Sequence, residues 1–173
     1  MSQRDSGYKR IERDCYETPE WVTCALLPHL GNVKTVWEPA AGSGKMARVL
    51  EAAGLQVLST DISAGQDFLL AGKQPVDAIV TNPPYSSATP FIEHALHLTS
   101  GGGKVAMLLR TDFDHARRRH LFSECPAFAR KVVLTKRIRR FENSTGQPSF
   151  NHAWYIWDHK HVGEPTLEYD LQH

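Results

Sequence analysis

Asn82-Pro83-Pro84-Tyr85 is the segment whose residue types say most about chemistry. Two consecutive prolines remove two amide donors and stiffen the turn. What remains is rich in acceptors. The Asn82 side-chain carbonyl and the Pro83 backbone carbonyl can together accept both hydrogens of one planar amino group. An amino group conjugated to a ring or a carbonyl is a poor nucleophile, because its lone pair is delocalised. Two acceptors pulling on its hydrogens bias it toward a tetrahedral, more nucleophilic form. Tyr85 offers a flat face on which a ring can stack. The pattern points to alkylation of an amino nitrogen, and the competing reading is a plain proline turn with a buried asparagine.

A second segment, Glu38-Pro39-Ala-Ala-Gly42-Ser-Gly44, lies between an expected strand and an expected helix. Its glycines let the backbone turn tightly and approach a ligand closely, and the helix start offers free amide groups. A phosphate-binding loop needs glycine where Pro39 stands and serine or threonine where Met46 stands, so that reading fails. The dinucleotide pattern lacks its third glycine. Asp61 follows the next expected strand, where a carboxylate can accept hydrogen bonds from both hydroxyls of a ribose. Asp67 and Phe68 can supply a polar contact and an apolar wall for an adenine ring.

With these segments in this order, the chain resembles the amino-group methyltransferases that use S-adenosyl-L-methionine. It is most similar to the adenine-N6 DNA methyltransferases. The Tyr16-Glu-Thr-Pro19 segment ahead of the glycine turn matches a further cofactor segment of one subclass, and the resemblance runs from Tyr16 to Trp157. It implies that Glu38, Pro39, Gly42 and Gly44 hold the methionine part of the cofactor, with Tyr16, Thr18 and Pro19 closing over it. It implies ribose binding by Asp61 and adenine contacts from Asp67 and Phe68. Asn82, Pro83 and Pro84 would hold the target amino group, and Tyr85 would stack on the target base. Phe150 or Phe141 would cover the other face of the base, and Arg139 and Arg140 would meet phosphates. Adenine in a duplex must leave the stack to reach such a pocket. Transfer would be a direct in-line displacement from sulfur, with no metal. Methylation of adenine in RNA or of a glutamine amide in protein is chemically alike and stays open. So does a non-catalytic module that binds cofactor or nucleic acid.

The elements that must position these residues follow from periodicity. Lys34–Glu38, Leu55–Thr60, Asp77–Thr81, Lys104–Leu109, Lys131–Lys136 and His152–Trp157 read as strands, the last two antiparallel to each other. A helix is expected from Thr18 as cap and Pro19 as first residue, ending or kinking near Pro28. Others are expected from Met46 to Ala53, from Thr89-Pro90 to Gly101, and from Asp112 to Glu124. Alternating strands and helices predict an α/β fold: one Rossmann-like methyltransferase domain with a mostly parallel sheet and one antiparallel C-terminal strand. Only five residues separate Asp61 from Asp67, too few for a helical crossover. One crossover helix should be reduced or missing.

Composition sets the frame. The 173 residues are 41% hydrophobic and 23% charged, which suits one globular domain. The expected organisation is a polar segment over 1–14, a catalytic domain over 15–158 and a polar tail over 159–173. Net charge is +1, yet nine basic residues and one acid lie between Arg117 and Arg140. That polarity favours nucleic acid or another polyanion as partner, and the resemblance implies DNA ahead of RNA. Three cysteines without a C-x-x-C pair point to a reducing compartment. No apolar leader or membrane span is read, so a soluble cytoplasmic protein is expected. His94 and His97, and His159 and His161, are read as exposed side chains and not as metal ligands. Trp154 and Trp157 are read as core. A domain of this length has little with which to read a long DNA sequence, so a short target preference, a specificity partner or a homodimer is expected.

Overall fold

The computed structural model describes residues 17–138 and 150–170. Tyr16, Arg139, Arg140 and Phe141 lie outside the described residues. Side-chain alternation organises the sheet. Along β4 (Lys104–Arg110), Val105, Met107 and Leu109 enter one apolar cluster, while Ala106 and Leu108 enter the other. β1 (Thr35–Glu38) splits Trp37 from Val36, and β3 (Ala78–Thr81) splits Ile79 from Ala78 and Val80. β6 (His152–Asp158) splits Tyr155 and Trp157 from Trp154 and Ile156. Helix α3 (Ala88–Thr99) covers the first face with Phe91, Ile92, Ala95 and Leu98. Helices α1 (Glu20–Leu30) and α2 (Lys45–Ala52) cover the second with Val22, Leu26, Met46 and Leu50. Burial on both faces is why the central strands read as continuous apolar runs. Both tryptophans of β6 are in the core. Their indole N–H groups donate to Val22 O and Leu121 O.

The sheet has seven strands in the order β2-β1-β3-β4-β6-β5-β7, where β2 is Gln56–Ser59, β5 is Phe128–Val133 and β7 is Thr166–Tyr169. β2, β1, β3 and β4 are mutually parallel. β6 runs antiparallel to β4 and β5, and β7 is parallel to β5. This is a mostly parallel Rossmann-like sheet with an antiparallel C-terminal part. Between β2 and β3 there is no helix and no strand, only 3-10 turns at Ile62–Ala64 and Phe68–Leu70. The shortened crossover is the one expected from the Asp61–Asp67 spacing.

Several local expectations are corrected. Residues 112–124 form no α-helix. They hold a 3-10 turn over Ala116–Leu121 with non-helical angles at Arg118. The fifth strand begins and ends three residues before the expected range. α1 continues through Pro28 and ends at Gly31, whose φ of 64° suits glycine. Its N-cap is Pro19, with no side-chain cap bond, so Thr18 does not cap it. Pro90 falls inside the first turn of α3, after the N-cap Ser87. His94 is half-buried and its Nε2 lies 3.0 Å from Ala71 O. Residues 166–169, within the stretch read as tail, form β7. Glu168 ties that strand to Arg130 at 3.0 Å and to His29 of α1 at 3.5 Å. Among the described residues, no helix is long and apolar enough to cross a membrane.

Candidate active site

In a parallel sheet, ligands bind beyond the carboxyl ends of the strands. Glu38 is the last residue of β1 and is buried. Its Oε2 has no hydrogen-bond partner. Burial pushes its carboxyl up to about 8. The negative charge of Asp61 adds to the rise, and a bond to the Ala47 amide and the nearby Arg48 oppose it. At neutral pH this carboxyl is held mostly protonated, so it is a neutral group placed where a cation could ionise it. Pro39 is buried behind it. The chain then turns through Gly42 (φ 52°) and Gly44 (φ 73°), left-handed positions that favour glycine. Gly44 is also the N-cap of α2.

Asp61 caps the first 3-10 turn. One oxygen accepts from Ser63 N at 2.8 Å, and the other accepts from Gly42 N at 2.9 Å. One carboxylate therefore joins the ends of β1 and β2. Asp67 caps the second turn by accepting from Leu69 N at 3.0 Å. Phe68 is buried. Its ring meets Trp37 edge-on at 5.1 Å and packs at 4.8 Å on Phe91. Its ring is part of the apolar core.

Asn82 follows β3, and its Nδ2 donates to Thr18 Oγ1 at 3.2 Å. An amide that donates from one side carries its carbonyl on the other, so this bond turns the Asn82 oxygen away from Thr18. Glu17 approaches Lys45 at 3.9 Å. The segment before α1 thus lies across both the glycine turn and the Asn82 loop. Tyr85 opens a 3-10 turn and is 38% exposed. Its hydroxyl lies 2.9 Å from Nε2 of His152, the first residue of β6. His152 is buried, and Nδ1 makes no bond. Burial first, and then the positive charge of Arg110, pull its pKa down to about 4, against a raising effect of Asp112. The ring is neutral at physiological pH.

Phe150, 46% exposed, sits just before β6 with the Arg110 guanidinium 3.9 Å from its ring centroid. Arg110 also holds Asp112 through two bonds of 3.0 and 2.7 Å. The antiparallel pairing of β4 with β6 puts Arg110 opposite His152. One sheet edge therefore brings together Thr18, Glu38, Gly42, Gly44, Asp61, Asn82, Tyr85 and Phe150. Arg110 is expected at this edge from its place after the β4 run, whereas His152 was not among the candidates. A histidine opening an apolar strand carries no motif of its own, and only the strand pairing places it beside Tyr85.

Several solved structures are similar in fold. A protein from Listeria monocytogenes assigned as a class I S-adenosylmethionine-dependent methyltransferase superposes with a TM-score of 0.63 at 14% identity, over 92% of this chain and 66% of that one. The M protein of the type I restriction enzyme EcoKI gives 0.54 at 12% identity, over 84% and 44%. A dimethyladenosine transferase from Plasmodium falciparum gives 0.55 at 12% identity, over 83% and 62%. The fold is that of the Rossmann-like methyltransferases. This chain spans less than two thirds of the length of each of these structures. No protein-family model matches it, and no curated protein matches it in sequence. Within this methyltransferase fold, the Glu38 turn and the Asn82 turn close two neighbouring strands, β1 and β3, that are paired directly in the sheet.

Proposed function

We propose that the chain is an S-adenosyl-L-methionine-dependent methyltransferase acting on an amino nitrogen, with adenine N6 in DNA as its target. The observation that carries this reading is the Asn82-Pro83-Pro84-Tyr85 turn at the carboxyl end of β3, held by Thr18 and His152 beside the Glu38 turn. The residues fit the cofactor on one specific ground. Glu38 keeps a buried acceptor oxygen without a partner, and the amino group of a methionine moiety is a cation that such an oxygen can take. Gly42 and Gly44 leave the turn open to close approach, and Asp61 and Asp67 offer carboxylate oxygens to sugar and base. The cofactor, when bound, supplies a methyl group activated on a positively charged sulfur.

The chain's own contribution is positioning. The Asn82 and Pro83 carbonyls would accept the two hydrogens of the target amino group and raise the nucleophilic character of its nitrogen. Tyr85 would stack on the base, worth ~1–3 kcal/mol, with Phe150 on the opposite side. Alignment of nitrogen, methyl carbon and sulfur would account for much of the rate. The target base would be unstacked or single-stranded already. RNA adenine is the second reading, because its amino group is chemically the same target.

The test is to incubate the protein with isotopically labelled cofactor and DNA, RNA or protein, digest each, and identify the methylated unit by mass spectrometry. Labelled N6-methyladenine from DNA is the expected product. Methylglutamine in protein, with DNA unmodified, would overturn the adenine assignment.

A further inference from the structure

An open cleft of about 450 Å³ lies between the start of α3 and the 3-10 turn over 116–121, lined by Thr89, His115, Arg117, Arg118 and His120. We propose that it docks the phosphodiester backbone of the nucleic-acid substrate beside the target nucleotide. The inference rests on the reading of the substrate as nucleic acid.

The lining offers hydrogen-bond donors. Arg118 is fixed in place: Nη1 donates to Phe113 O at 3.1 Å, Nε donates to Thr89 Oγ1 at 3.4 Å, and the guanidinium lies 4.1 Å from the Phe113 ring centroid. Its position is therefore set before a ligand arrives, which lowers the ordering cost of binding. Thr89 accepts from Arg118 and keeps its own hydrogen to donate. Arg117 is exposed and makes no ion pair or hydrogen bond among the described residues. The carboxylates nearby are engaged at the rim, Glu93 with His120 at 3.0 Å and Glu124 with Arg119 at 3.6 Å. Two guanidinium groups with a hydroxyl suit the oxygens of a phosphate.

Position supplies the second argument. The 116–121 turn follows β4, and Thr89 follows Tyr85 by four residues, so the cleft shares the sheet edge that carries Asn82 and Tyr85. Four residues span at most ~14 Å. A base stacked on Tyr85 would carry its flanking backbone within reach of the cleft. The 3-10 turn over 116–121 departs from helical angles at Arg118, and both Arg117 and Arg118 line the cleft.

The test uses the full-length protein and a fluorescein-labelled single-stranded oligonucleotide read by anisotropy. Arg117→Glu is expected to weaken binding roughly tenfold, the size of one charge-assisted contact. Arg117→Ala should flatten the slope of log affinity against log salt by about 0.7. Both variants should keep wild-type affinity for S-adenosylhomocysteine and wild-type thermal stability. Unchanged oligonucleotide affinity and salt slope in Arg117→Glu, with wild-type chain still binding and methylating the oligonucleotide, would overturn the cleft and leave the proposed activity standing. A wild-type chain that neither binds nor methylates DNA or RNA would overturn both. In a second arm, sodium phosphate replaces sodium chloride at matched ionic strength. Displacement of the oligonucleotide by phosphate from wild type but not from Arg117→Glu is the expected result. Phosphate that raises the melting temperature of wild type but not of Arg117→Glu, while leaving oligonucleotide affinity unchanged, would assign the cleft to free phosphate and overturn the backbone reading.

Discussion

The hydroxyl of Tyr85 and Nε2 of His152 are 2.9 Å apart, although they lie 67 positions apart in the chain. A half-exposed tyrosine is thereby held by a buried ring on a central strand. Because His152 stays neutral down to about pH 4, this contact does not change with protonation in the range where an enzyme would work. His152→Phe keeps the volume and removes the bond. Its expected effect is a loss of about tenfold in kcat through a misplaced Tyr85, with cofactor affinity unchanged by calorimetry and no new ionisation in the pH–rate profile between pH 6 and 9.

The same histidine makes stability depend on pH. The unfolded chain takes up its proton near pH 6.5, whereas the folded chain waits until about 4. The unfolded state therefore binds more protons in that window, and the stability that His152 contributes is lost as pH falls from 6.5 toward 4. Urea unfolding at pH 7, 5.5 and 4.5 should show a smaller decline for His152→Phe than for wild type.

Glu38 has the opposite sign. Its carboxyl titrates at about 8 in the fold against 4.5 as the reference, so the folded state binds the extra proton and stability falls as pH rises from 4.5 through 8. Glu38→Gln removes this dependence, and denaturation at pH 6, 7 and 8 checks it. A cation arriving at the carboxylate would also expel that proton. Titration of the wild-type chain with S-adenosylhomocysteine at pH 7, in buffers of different ionisation enthalpy, should reveal net proton release that Glu38→Gln lacks.

Thr18 and Asn82 separate anchoring from chemistry. Asn82→Ala should leave cofactor affinity intact and lower methyl transfer by about 100-fold or more, the scale of removing one preorganised polar contact to a reacting group. Thr18→Val removes the Asn82 tether and should have a smaller effect on transfer, about tenfold. Equal turnover in Asn82→Ala and wild type, measured with labelled cofactor, would remove the amino-holding role.

Gly44→Ala tests the turn. At φ 73° and ψ 19° an alanine costs ~1–2 kcal/mol, while its Cβ would meet Arg48 Nη1 no closer than 3.4 Å. The cost is therefore conformational, and a thermal melt should fall by ~2–8 °C.

The central strands were legible in the sequence as short continuous apolar runs bounded by turn residues, and α2 by the helical spacing of its buried Met46 and Leu50. The short crossover was legible for a simpler reason, the count of residues between Asp61 and Asp67. Residues 112–124 were misread. Phe113, Leu121 and Phe122 are apolar but do not recur every three or four positions, so polar composition alone suggested a helix. β7 was invisible because four residues of mixed polarity form a strand only when β5 offers an edge. Within the site, the glycine turn and the Asn82 turn announce themselves by composition. Thr18 looked like a helix cap, and only the fold delivers its hydroxyl to Asn82. His152 had no local signature, since its meaning lies in the pairing of β6 with β4.

The sheet also tapers. Its two outermost described strands, β2 and β7, have four residues each, while β4 and β6 at its centre have seven each. An outer strand offers its unpaired backbone groups to any other extended chain, and a brief one offers too few to hold it. The shape gives this mixed sheet a modest defence against fibrous self-association, at β2 and β7, each of which has a strand on one side only among the described residues.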